Sequence, residues 1–285
     1  MSKFDIRSPQ QMGAVVRRMA NFAERIPERH IEAGKIWYPQ AHDVAREAGR
    51  EFGTSTRSAA GMMSALSAGT EWEQNKSAFH DLLRMTPAHE QMIRSSSVEP
   101  RRTKEVEGLL ETHYPGLTVS TDRNIGKALD IYRGKDPEEV LDRRSGPKTN
   151  SFFRNIENPE GPEVTVDFRA YDLVSNVMRP SRDYDRGISS AELARPSRGP
   201  YRPHLSRFER ISDVYTDLGK RGVRGLTRGN EVQAALWVAG KDIEVSRPTA
   251  RGEQRKTGIP RRGEPYMDRS GTPNNMGLLN WDLFG

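Results

Sequence analysis

Apolar residues in this chain recur every three to four positions, and that period restricts it to helices more firmly than any other feature. Met12, Val15, Val16, Met19, Phe22 and Ala23 form one stripe, which predicts a helix over 10–29. In "AGKIWYPQAHDVAREAGREFG", Trp37, Ala41, Val44, Ala45, Ala48 and Phe52 keep the same spacing, and Gly53 is a natural stop. "STRSAAGMMSALSAG" begins with hydroxyl caps and turns small and apolar around Met62, Met63, Ala65 and Leu66. "EQNKSAFHDLLRM" turns Ala78, Leu82 and Leu83 inward, and "TDRNIGKALDIYRG" does the same with Ile125, Ala128, Leu129 and Tyr132. "HLSRFERISDVYTDLGKRG" and "TRGNEVQAALWVAG" are the last helices. Only Val164-Thr165-Val166 reads locally as a strand, and in a helical chain it is expected to be an extended entry to a helix. The expected fold class is all-α.

The same pattern gives the organisation. Residues 86–118 are weaker, with a loop over 94–108, and residues 180–206 are rich in Pro, Arg and Ser, as a loop or insertion would be. The expected parts are N-terminal helices over 1–57 that join the second lobe, a helical lobe with a hairpin over 58–166, and a second helical lobe over 167–242. An irregular basic tail over 243–285 follows, ending in the apolar "MGLLNWDLFG".

Composition narrows the function. With 34% hydrophobic and 29% charged residues over 285 positions, the chain can bury a core without being apolar overall. It has no cysteine, so disulfides, thiolate metal sites and iron–sulfur clusters are excluded. The histidines at 30, 42, 80, 89, 113 and 204 lack ligand spacing, so neither a metal nor another cofactor is expected. No apolar run reaches bilayer length and the N-terminus lacks a signal-peptide core, which sets the expectation of a cytoplasmic protein without a membrane partner. The net charge of +6 and the arginine-rich runs "RPSRGPYRPHLSRFER" and "GKRGVRGLTRG" favour a polyanionic partner, for which nucleic acid is the expectation.

Three segments carry candidate chemistry. In "RRSGPKT" a glycine-containing turn leads into a helix. Ser145 is placed to cap, Pro147 suits the first helical position, and Lys148 and Thr149 are placed to reach an anion at the helix start. Asp167 follows Lys148 by nineteen positions, after the apolar run, where it can cap the helix Phe168-Arg169-Ala170-Tyr171. In "SALSAGTEWEQNKSAF" the small residues Ser67, Ala68, Gly69 and Thr70 break a buried helix before Trp72 and Asn75 lead into another. Each alone is compatible with plain structural roles: a solvated lysine, a capping aspartate, a helix stop.

Taken together, their order and spacing resemble the helix–hairpin–helix DNA glycosylase superfamily, with its endonuclease III-like fold. Leu66-Ser67-Ala68 and Asn75-Lys76 match that family's helix–loop–helix, Gly146, Lys148 and Thr149 its hairpin, and Val166-Asp167 its aspartate segment, over about residues 58–178. The pattern is also similar to uncharacterised phage and actinobacterial proteins. Departures are the reduced hairpin "SGPKT", Arg169 where many relatives carry histidine, Gly69 or Thr70 in place of an intercalating side chain, and no cysteine set.

The resemblance implies a two-lobed fold and an enzyme that flips one nucleotide from duplex DNA and excises its base, in a bacterial or phage-infected cell. Asp167 and Lys148 are the implied catalytic residues, in one active site. Ser145, Gly146, Thr149, Ser67, Gly69, Thr70, Asn75 and Arg169 are the implied nucleic-acid contacts, and Trp72 the pocket residue. Lys148 is either a Schiff-base nucleophile or a phosphate contact. Gln233 and Trp237 are expected to pack within the second lobe. Two alternatives stand beside excision: a phage-type transferase acting on an activated hydroxymethyl pyrimidine, and a non-catalytic DNA-binding or virion-associated protein.

Overall fold

The computed structural model describes residues 4–96, 102–176, 188–196 and 201–245. These form an all-α protein with thirteen α-helices and no strand among the described residues. The chain divides into two compact units: the described residues up to Pro39 together with those from Pro159 onward, and Gln40–Asn158.

The first unit contains α1 (Pro9–Ala23) and the start of α2 (Glu28–Phe52). Residues 10–29 were expected as one helix, but the chain breaks between Ala23 and Glu28. Ser8 caps α1 by accepting from the Gln11 N–H, while Pro27, which has no N–H to give, precedes α2. After Pro159 come α10 (Phe168–Ser175), α11 (Ser190–Ala194), α12 (Arg207–Lys220) and α13 (Gly229–Val245). The core gathers Val15, Val16, Met19 and Phe22 of α1 with Tyr171, Leu173, Val214, Tyr215, Leu218, Val232 and Leu236. Val164 and Val166 belong to that core on an extended segment leading into α10. Their burial is why they do not behave as a solvated strand. Gly34 of α2 lets that helix approach α13 closely, because a Cβ there would lie 2.5 Å from the Ala235 Cβ.

Arg210 of α12 is the largest side chain wholly inside this unit, at 1% exposure. It donates to the carbonyls of Ile6 and Arg202 and lies 5.6 Å from the Tyr201 ring centroid, with no carboxylate partner among the described residues. A buried guanidinium is thus compensated by dipoles and a ring face.

The second unit holds the rest of α2, α3 (Thr56–Leu66), α4 (Trp72–Leu83), α5 (Pro87–Ser96), α6 (Lys104–His113), α7 (Asp122–Tyr132), α8 (Pro137–Val140) and α9 (Pro147–Glu157). Its central element is α3, buried along its length and packed on α4, α7 and α9. The 94–108 stretch, expected as a loop, is partly helical: α5 runs to Ser96 and α6 begins at Lys104 under a Thr103 cap. Their apolar faces are short, Val106 and Leu110 in α6, which is too little for a periodicity to stand out. Tyr132, expected on the inner face of α7, is 39% exposed at that helix's end, where its ring can reach water.

The boundaries between units fall at Pro39 and Asn158, not near 57 and 166 as composition suggested. The first lies inside the continuous helix α2, where Pro39 removes one backbone hydrogen bond without ending the helix. The 180–206 stretch contains α11, capped by a Ser189–Glu192 box, while 177–187 and 197–200 lie outside the described residues. Of the expected tail, 243–245 complete α13, and 246–285 lie outside the described residues. No helix among the described residues is long and apolar enough to cross a membrane.

Candidate functional site

In the second unit, two of the three segments singled out in the sequence come together. α8 and α9 are joined by the turn 141–146, in the place of the expected hairpin. Asp136 caps α8, accepting from the Glu138 N–H at 2.7 Å. Arg57, in the first turn of α3, ties both ends of the hairpin: it pairs with Asp136 at 3.0 Å and with Glu157 at the end of α9. Its guanidinium also lies 5.1 Å from the Phe153 ring centroid. Gly61 allows α3 to meet the start of α8, since a Cβ there would stand 2.8 Å from Pro137.

The loop after α3 is fastened to the start of α9. Lys148 Nζ donates to the Ser67 carbonyl at 3.2 Å, and Ser64 Oγ donates to the Thr149 carbonyl. Lys148 Nζ also lies 6.0 Å from the Phe152 ring centroid. A carbonyl and a ring face are both partners for an ammonium cation. Ser67 Oγ returns to the Ser64 carbonyl at 2.8 Å and Thr70 Oγ1 to the Leu66 carbonyl at 3.1 Å, so the loop's hydroxyls stabilise the end of α3. Gly69, exposed, has φ +83°, a conformation that glycine adopts without strain.

The turn itself is already occupied. Asp142 accepts from the N–H groups of Arg144 and Ser145, each at 3.1 Å, and its carbonyl accepts from the Gly146 N–H at 2.9 Å. The hydrogen bond from the Arg144 N–H, joined by those from Ser145, holds the Asp142 carboxyl below the usual range. Ser145 and Gly146, expected to offer backbone N–H groups to a phosphate, therefore spend them within the turn. Gly146 caps α9 with no side-chain acceptor, and Thr149 Oγ1 donates back to its carbonyl at 3.0 Å.

Two residues expected at a DNA surface are buried. Asn75 is 1% exposed on the inner face of α4 beside Ala78, Phe79 and Leu82, and among the described residues neither atom of its amide has a hydrogen-bond partner. Arg169, in the first unit, is 4% exposed. The helical period decides for Asn75, which stands on the inward face of α4 despite a polar side chain, whereas α10 is buried at every position from Arg169 to Val174. Trp72 is half-buried at the start of α4, with Lys76 Nζ 5.9 Å from its ring centroid.

The third segment lies in the first unit. Asp167 caps α10, Oδ1 accepting from the Ala170 N–H at 2.8 Å, and Oδ2 accepts from the indole Nε1–H of Trp237 at 2.8 Å. Arg169 stacks 5.6 Å from the Trp237 ring centroid and 5.4 Å from that of Phe168. Trp237 meets Trp37 edge-on at 6.3 Å, Trp37 meets Tyr38 at 4.8 Å, and Tyr38 donates to Gln233 Oε1 at 2.8 Å. Tyr215, wholly buried, donates to the Ala170 carbonyl at 2.9 Å. Burial, reinforced by the charge of Asp167, pushes its phenol well above the usual value.

Trp237 and Gln233 pack as expected, but sequence reasoning missed that Trp237 is a direct partner of Asp167 and that Trp37 and Tyr38 complete the group. Their separation along the chain left only one signal: tryptophans on two helices that are otherwise Ala-rich. Lys148 and Asp167 thus belong to different compact units, each with its own fixed setting. No group of three or more His, Asp or Glu suited to a metal occurs among the described residues.

No curated protein and no solved structure matches this chain. A family model described as "Family of unknown function (DUF7178)" matches residues 1–244. That match covers most of the chain, Lys148 and Asp167 included, and the chain belongs to this family.

Proposed function

We propose that this protein is a DNA-acting enzyme that flips one nucleotide out of a duplex and performs glycosylase-type base excision. The observation that carries the reading is the setting of Asp167. Its two oxygens are held by a backbone N–H and an indole N–H, both neutral, and no cation pairs with it among the described residues. Such a carboxylate is fixed in place while its negative charge is not cancelled. It can stabilise the positive charge that develops on a deoxyribose as its base departs.

In the proposed reaction the bond between C1′ and the base nitrogen breaks, and its electron pair leaves with the base. Water adds at C1′, and its proton passes by way of solvent or Asp167 to the departing base. The ammonium of Lys148, engaged by the Ser67 carbonyl and the Phe152 ring, supports the role of phosphate contact over that of nucleophile. The proposed setting, which follows from the same resemblance, is the cytoplasm of a bacterial or phage-infected cell.

The test is incubation of the protein with duplexes carrying damaged or hypermodified bases, read by mass spectrometry. Free base and an abasic strand are expected, no adduct on borohydride treatment, and loss of activity in Asp167→Asn. A heavier base on an intact glycosidic bond would transfer the site to the hypermodification reading. Absence of both products across the panel would leave a DNA-binding protein without chemistry.

A further inference from the structure

We infer that Trp237 is a positioning residue for the proposed excision: its indole N–H, steadied by Trp37, Tyr38 and Gln233, fixes the plane in which the Asp167 carboxylate faces the deoxyribose. This role presupposes the proposed reaction at Asp167 and falls to residues that the glycosylase resemblance leaves without one.

Capping a helix takes one acceptor. Ser8, Ser55, Thr103 and Thr121 each cap with a single hydroxyl oxygen. Asp167 does the same for α10 with Oδ1, 2.8 Å from the Ala170 N–H. One bond to one oxygen still lets a carboxylate tilt about its Cβ–Cγ axis. The Trp237 N–H, 2.8 Å from Oδ2, removes that freedom, because donors on both oxygens fix the plane of the group as well as its place. A cap has no need of the second bond. A carboxylate that must face one reacting carbon does, since small misplacements of a reacting group are costly in rate.

Trp237 is itself held. Gly34, Trp37 and Tyr38 share one face of α2, and Gln233 stands one turn before Trp237 on α13. The Tyr38 hydroxyl donates to Gln233 Oε1 at 2.8 Å. Trp37 packs on the indole at 6.3 Å between centroids with the rings inclined at 66°, and the Arg169 guanidinium lies 5.6 Å from the same ring. Gly34 brings the two helices close enough for these contacts, since a Cβ there would meet the Ala235 backbone and side chain at 2.5 to 2.8 Å. The indole therefore cannot turn without repacking α2 against α13. Trp37, Tyr38 and Gln233 act through Trp237, and Trp237 acts through Asp167.

The experiment measures excision by the full-length protein on the panel of duplexes above, with single uracil, 8-oxoguanine and 5-hydroxymethyluracil among the bases. Trp237→Phe keeps an aromatic ring and removes the N–H. It is expected to lower kcat by roughly 10- to 100-fold with KM within about twofold of the wild type. Trp237→3-benzothienylalanine, which puts sulfur where the N–H was in a ring of nearly the same shape, should lose the same factor in kcat, and it keeps the test decisive where phenylalanine loosens the fold. A second readout needs no substrate. By NMR of isotope-labelled tryptophan, the indole N–H resonance that Trp237→Phe removes should shift in Asp167→Asn, whose amide turns a donor toward the indole once its oxygen caps Ala170. Wild-type excision with kcat unchanged in both variants at position 237, or a rise in KM alone, would overturn the positioning role and leave the excision reading standing. A resonance indifferent to Asp167→Asn would overturn that role whatever the chemistry. A wild type that excises no base across the panel would overturn the excision reading and the positioning role with it.

Discussion

Glu90 in one unit and Asp167 in the other are both carboxylates held in place by hydrogen bonds, yet they are held by opposite means. Glu90, 4% exposed, accepts from Arg94 Nε at 2.8 Å and from Arg133 through two guanidinium nitrogens at 2.7 and 2.9 Å. Asp167 accepts from an amide and an indole. The first arrangement cancels a charge: seen from a few ångströms away, Glu90 with its arginines is nearly neutral or positive. The second fixes a charge through neutral donors, with no ion pair to it among the described residues. Hydrogen-bond number alone would rank Glu90 as the better-prepared site. The chemistry of the donors reverses that order.

The largest expected effect comes from removing the Asp167 arrangement. Asp167→Ala loses a helix cap and strands an indole N–H, for a combined cost of about 2–4 kcal/mol by urea denaturation. Asp167→Asn keeps one acceptor for the Ala170 N–H and should lose less. Equal stability of the two variants would mean that the cap on the Ala170 N–H contributes nothing.

Next in size is Gly34→Ala, whose methyl would collide with the backbone and side chain of Ala235 in α13. A cost of about 1–3 kcal/mol is expected, with a shift in tryptophan emission as Trp237 moves relative to Trp37. A stable variant with unchanged emission would show that the indole does not depend on this helix contact.

Glu90 supplies the third measurement. Burial alone would raise its pKa, but the hydrogen bonds from Arg133 and then Arg94 hold it below the ordinary carboxylate value of 4.5. A depressed folded-state pKa gives stability that is present above the unfolded value and is lost as pH falls below about 4.5 through the folded value. Asp130, lowered by Lys135 and Arg94 against its own burial, adds to the same acid limb. Glu90→Gln should therefore flatten that limb and cost roughly 1 kcal/mol at neutral pH, since its partly exposed arginine partners can rehydrate. An acid limb as steep as the wild type's would remove Glu90 as its source. The smallest expected change is Lys148→Met, about 0.5 kcal/mol in folding for one hydrogen bond to a carbonyl, checked by thermal denaturation. A loss of 2 kcal/mol or more would make this lysine a structural element of its unit.

Much of the helical framework was legible because its cause is local. The stripes Val15–Val16–Met19–Phe22 and Ala41–Ala45–Ala48 bury the faces their spacing implies, and a period of 3.6 needs no tertiary information. The hairpin over 137–157 was legible for the same reason, through Pro147 at a first helical position and glycine before it. What escaped was decided by partners distant in sequence. Nothing near residue 167 announces Trp237. Asp142, three residues before Ser145, was by contrast a local signal, since a short acidic side chain often accepts from the N–H groups that follow it in a turn. Asn75 and Arg169 show the reverse error. Their polarity suggested a surface, and helix geometry overruled it.

The discontinuity of the first unit has a consequence for synthesis. Helix α1 ends at Ala23, yet the α12 residues against which it packs are made only from position 207 onward. At ordinary elongation rates that leaves Val15, Met19 and Phe22 waiting roughly 10 to 40 s for their partners. The continuous second unit can meanwhile complete its own core. Helix α1 is thus sheltered long after it is made, and the nascent chain carries an uncovered apolar stripe through that interval.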